Sequence, residues 1–87
     1  MKIKQGYILR EVAGNYIVVA VGEAVKNFNG IINLNETGAF LWKQLQDGAT
    51  EEQLKKAMLE EYDVQEDVAQ NDIKAFIDKL NEKGLLD

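Results

Sequence analysis

At Asn35 the hydrophobic pattern of this chain changes period, and that change restricts the fold more than any other feature of the sequence. Before it, Phe28, Gly30, Ile32 and Leu34 share one side of an extended run while Asn29, Ile31 and Asn33 share the other, a repeat of two. After it, Phe40, Leu41, Trp42 and Leu45 recur at helical spacing. Asn35 is a good helix N-cap, because its side-chain oxygen can accept from a free backbone N–H of the first turn, and Glu36 suits the positive end of the helix dipole. The stretch Asn27 to Trp42 therefore joins a small sheet to a helical half. Gly48 ends the helix in the usual way. Gly38, in its first turn, costs about 1 kcal/mol of propensity relative to Ala; it either permits a close backbone approach or is simply tolerated.

Upstream, Tyr7 to Val12 and Tyr16 to Val21 are β-branched and aromatic runs separated by Ala13, Gly14 and Asn15, which reads as a β-hairpin. The second run is apolar on both faces and suits a central strand. Residues 22 to 27 read as a connecting loop, and Phe28 to Leu34 as the third strand. In a simple meander this third strand lies at an edge, with unpaired backbone donors and acceptors. Such an edge is open to another strand, or is covered by a loop or a second copy.

Downstream, Thr50 and Gln53 match a capping box ahead of Leu54, Ala57, Met58 and Tyr62, predicting a helix from Glu51 to Tyr62. A third helix starts between Asp63 and Glu66 and runs through Ala69, Ile73, Phe76, Ile77 and Leu80 until Gly84 closes it. Leu85 and Leu86 are expected to fold back on the core. The order predicts an α+β, winged helix-turn-helix-like domain: a three-stranded antiparallel sheet followed by three helices. Residues 1–87 make one domain, near the lower limit at which a core folds without staples. Glycines at 6, 14, 22, 30 and 38 fall every eight residues, but the residues between them do not repeat, so the spacing reflects strand and turn lengths.

Composition removes most catalytic classes. The chain has no Cys and no His, and it also has no Ser, which leaves Thr37 and Thr50 as its aliphatic hydroxyls. Thiolate, imidazole and serine chemistry are absent with them, and neither an enzyme nor a bound cofactor is expected. The amino terminus, MKIKQGYILREV, is interrupted by charge too early to serve as a secretory segment, and no run approaches the roughly 20 apolar residues of a membrane span. A soluble cytoplasmic protein is the expectation. Net charge is −5, and residues 47 to 87 carry twelve acidic against five basic side chains. An acidic surface repels phosphate backbones, which argues against a nucleic-acid partner.

Local patterns have plain explanations. Asn35-Glu36-Thr37 matches a glycosylation sequon, yet capping accounts for Asn35 better. The carboxylate groups around Glu51, Glu60 and Glu66 lack the ligand spacing of a calcium loop and read as solvated helix surface. Trp42 with Phe40, and Phe76 with Tyr62, read as core aromatics. Phe76 also shares a stripe with Val68, Asp72 and Lys79 or Lys83, offset from the more apolar stripe of Ala69, Ile73, Ile77 and Leu80. That mixed stripe is either a boundary face or the wall of a peptide groove.

The hairpin sequence Leu-Arg-Glu-Val-Ala-Gly at residues 9–14, the junction Leu-Asn-Glu-Thr-Gly-Ala at 34–39, the helix end from Trp42 to Gly48 and the tail from Asp72 to Leu86 together resemble the pyrroloquinoline quinone biosynthesis protein D (PqqD) family. The resemblance spans nearly the whole chain and rests on order and spacing rather than on one motif. It implies a recognition domain that binds the leader of a ribosomally made precursor peptide by strand addition and presents it to a maturase, typically a radical S-adenosylmethionine enzyme. The positions so implied for peptide binding are Asn29, Gly30, Ile31, Ile32, Asn33 and Leu34 on the third strand, with Val68, Asp72, Phe76 and Lys79 on the third helix. Nucleic acid and membrane are not expected partners, and the chain is expected to be a monomer or weak homodimer. A winged-helix DNA-binding regulator is the alternative from the same order of elements, but residues 66 to 83 hold three Lys against five acids.

Overall fold

A computed structural model describes residues 1–26, 28 and 30–87. Strands β1 (Tyr7–Val12), β2 (Asn15–Ala20) and β3 (Ile31–Leu34) form an antiparallel sheet in the order β1-β2-β3, and helices α1 (Glu36–Gln46), α2 (Glu51–Glu61) and α3 (Glu66–Glu82) follow. This is the α+β order expected from the sequence. The doubly apolar run is the central strand, as its composition required, and β3 lies at an edge.

The β1–β2 hairpin closes in two residues rather than three. Ala13 and Gly14 both have positive φ, 52° and 80°, while Asn15 already pairs with Val12. A two-residue turn with positive φ at both positions matches the right-handed twist of the strands it joins.

Two boundaries differ from the sequence reading. Residues 22–26, expected as loop, form a 3-10 helix from Gly22 to Lys26 whose Ala24 is buried. The third strand begins at Ile31 rather than Phe28, because Gly30 sits at φ 138°, outside the extended region a ladder needs. Phe28 instead packs against Tyr7, edge to face, with ring centroids 6.0 Å apart.

The helix caps follow the sequence closely. The Gly38 N–H donates to Asn35 Oδ1 at 2.7 Å, and Thr50 and Gln53 form the reciprocal capping box at 2.9 and 3.1 Å. Gln65 caps α3 without a side-chain bond, and the Val68 N–H donates instead to Asp67 Oδ1. Lys55 on α2 pairs with Glu66 at the start of α3, at 3.1 Å.

The core lies between one face of the sheet and the helices. Val18, Ile32 and Leu34 meet Leu41, Trp42 and Leu45 of α1, Leu54 and Met58 of α2, and Ala69, Ile73, Phe76, Ile77 and Leu80 of α3. Phe76, which sequence spacing had set apart from the apolar stripe of α3, is 8% exposed and belongs to this core. Its position, three residues after Ile73 and four before Leu80, lies on the buried side of the helix, in line with its reading as a core aromatic. Leu85 is buried, and Leu86 forms an isolated bridge with Ile3, so the tail folds back as expected.

Candidate functional site

An unpaired strand edge needs a neighbour or a cover, and β3 has neither among the described residues. Its ladder partner is β2, with Val18 opposite Ile32 and Tyr16 opposite Leu34. On the other side Lys79 of α3 reaches across, and its Nζ donates to the Asn33 carbonyl at a long 3.4 Å. A carbonyl met by a helix lysine, outside any ladder, faces the open edge. Alternate residues of an antiparallel strand turn their N–H and C=O the same way, so Ile31 shares this orientation.

Beside this edge lies a concave pocket of about 410 Å³ between the end of β3, the start of α1 and the middle of α3. Leu34, Leu41, Phe76 and Ala75 give it an apolar lining; Asn33, Asn35 and Thr37 supply polar groups; Asp72 and Lys79 place opposite charges on α3. Gly38 completes the lining. A Cβ there would lie 3.1 Å from Asn35 Oδ1 and 3.5 Å from the Phe76 ring, so the neighbours that approach this glycine are side chains and not the close backbone the sequence left open.

The structure therefore brings Asn33, Leu34, Asp72, Phe76 and Lys79 of the expected site into one pocket. Ile31 stands at the edge with a 57% exposed side chain, and Ile32 turns its side chain into the core. Gly30 precedes the strand rather than belonging to it. Val68 is exposed in the first turn of α3 but does not line the pocket. Asn29 lies outside the described residues. Sequence reasoning missed Asn35, Thr37, Gly38, Leu41 and Ala75 as lining residues. The capping signal had found Asn35, but it identified a local bond and not the cavity that the cap borders.

A profile of the family described as Coenzyme PQQ synthesis protein D (PqqD) matches residues 8–86. The chain belongs to the PqqD family. No curated protein matches it. Among solved structures, the PqqD-family fold here resembles TbiB1 in complex with the TbiA(β) leader peptide, with TM-score 0.78, 22% identity, and coverage of 100% of this chain and 95% of that one. It also resembles a lasso peptide synthetase B1 complexed with the leader peptide, with TM-score 0.74, 21% identity, and coverage of 97% and 93%. At such identities these likenesses establish a shared fold. No helix among the described residues is long and apolar enough to cross a membrane.

Proposed function

We propose that residues 1–87 act as one non-catalytic recognition unit that binds the leader of a ribosomally made precursor peptide as a fourth strand on β3. The observation that carries this reading is the open β3 edge running beside a pocket walled by α3. Main-chain bonds to Ile31 and Asn33 give affinity without reading sequence, and alternate side chains give specificity. Leader residues opposite Ile32 and Leu34 point to the same side as those residues, toward α3 and the pocket, where apolar groups suit Leu34, Leu41 and Phe76. Asp72 and Lys79 select charge at the rim. That both similar folds were solved in complex with leader peptides supports a leader peptide as the ligand.

Such a domain works by proximity. Holding the leader while contacting the modifying enzyme, typically a radical S-adenosylmethionine maturase in this family, raises the local concentration of the precursor core to about millimolar for a short tether. Its place is the cytoplasm, with the ribosomal precursor. The DNA-regulator alternative gains nothing from α3, whose charged side chains remain mostly acidic along its length.

Titration of isotope-labelled protein with the leader peptide encoded beside its gene tests the proposal. Shifts should concentrate at Ile31 to Leu34 and Asp72 to Lys79. Absence of binding at high micromolar peptide, or shifts confined elsewhere, would overturn it.

A further inference from the structure

Among the described residues, α3 reaches the open edge of β3 through one hydrogen bond, from Lys79 Nζ to the Asn33 carbonyl at 3.4 Å, in an exposed position. At that length the bond is weak. The ammonium also lacks a carboxylate: neither Asp72, about 10 Å away along the helix axis, nor Glu82, one turn on, pairs with it among the described residues. Yet Lys79 lines the pocket beside the apolar side chains of Leu34, Leu41 and Phe76.

Strand addition competes with this contact. Ile31 and Asn33 turn their backbone groups to the open side, so a leader strand paired there donates an N–H to the carbonyl that Lys79 now meets. Leader side chains opposite Ile32 and Leu34 point toward α3. An ammonium displaced from its acceptor and covered by the leader loses water and gains nothing in return, which is costly. A carboxylate on one of those leader side chains satisfies it with a charge-assisted hydrogen bond.

We infer that Lys79 is a specificity-determining residue of this site. In the leader-free chain its ammonium rests on the Asn33 carbonyl; on loading it passes to a carboxylate carried by the leader residue opposite Ile32 or Leu34. The inference rests on the strand-addition reading and names the chemistry the leader must bring to it. An acidic residue at that position is selected, and a lysine or arginine there meets a like charge. A second copy of this chain is a poorer occupant of the same edge. Its β3, Ile-Ile-Asn-Leu, carries no carboxylate, and pairing β3 with β3 would bring two Lys79 ammoniums to one edge.

The test measures fluorescence anisotropy of the fluorescein-labelled leader peptide encoded beside the gene, titrated with the full chain. The same peptide is then made with each Asp or Glu replaced singly by its amide. For wild type, one such replacement should weaken binding about fivefold or more; for Lys79→Met, which keeps the apolar stem without the charge, the same replacement should change it less than about twofold. Lysine at that leader position should weaken wild type further and be rescued by Lys79→Glu. Lys79 is exposed, so both variants should retain the wild-type circular dichroism spectrum. If wild type binds the leader and all its amide forms alike, or if every loss is equal in Lys79→Met, the inference falls and the proposed function stands. A leader that binds with no Asp or Glu in its β3-paired segment has the same consequence. Failure of wild type to bind the leader at high micromolar peptide removes the proposed function itself, and this inference with it.

Discussion

Ala13 sits in the left-handed region at φ 52°, where a side chain is strained and Asn or Gly is ordinarily found. Ala13→Asn is therefore expected to stabilise the fold by about 1 kcal/mol, read as a higher denaturation midpoint with an unchanged slope. The cap at Asn35 gives a second residue-scale expectation. Asn35→Ala should cost about 1 kcal/mol, because Gly38 N–H loses its acceptor. Gly38→Ala alone should gain little, since its methyl crowds Asn35 Oδ1, but in the Asn35→Ala background it should recover close to 1 kcal/mol of helix propensity. A double-mutant cycle measures that coupling; strict additivity would show that the crowding has no energetic consequence. Phe76 is a poor probe of binding, because truncating so buried a ring is expected to cost about 3–5 kcal/mol of stability.

Strand β3 is short, but its position at the edge makes it chemically specific. Ile31 is its first residue, and its N–H faces the open side, so proline there removes a donor that the β2 ladder does not use. Ile31→Pro should retain the wild-type circular dichroism spectrum and lose leader binding by tenfold or more, about 1.4 kcal/mol per tenfold. Normal binding by that variant would exclude main-chain pairing at Ile31. The helices show how the same sheet is braced. Lys55 joins α2 to α3 through Glu66, and Phe40 of α1 packs edge to face on Tyr62 at the end of α2, with centroids 5.4 Å apart.

Across the whole molecule, the pH response follows from groups at these junctions. Burial raises the Tyr62 phenol above its ordinary value, with the Glu36 and Glu61 carboxylates adding to it. The Lys55 ammonium is also raised, chiefly by its hydrogen bond to Glu66. Both protons are held more tightly in the folded chain than in the unfolded one. Their contribution to stability is complete below about pH 10 and is lost as pH rises through the folded values. Denaturation midpoints should therefore fall as pH rises above about 10, and less steeply in Tyr62→Phe; identical slopes would dismiss the tyrosine as a source. Much of this architecture was legible in local sequence. The period change at Asn35, the capping box at Thr50 and Gln53, and the doubly apolar β2 run each depend on neighbours a few residues apart, so the sequence by itself determined the order of elements, the central strand and the helix starts. The pocket depends on Leu34, Gly38 and Phe76, which meet across as much as 42 positions of chain, and no periodicity signals such a meeting. Tertiary structure alone decided that the third strand begins only at Ile31 and that the β3 edge opens beside the α3 pocket, because each depends on how the chain fills space against the sheet.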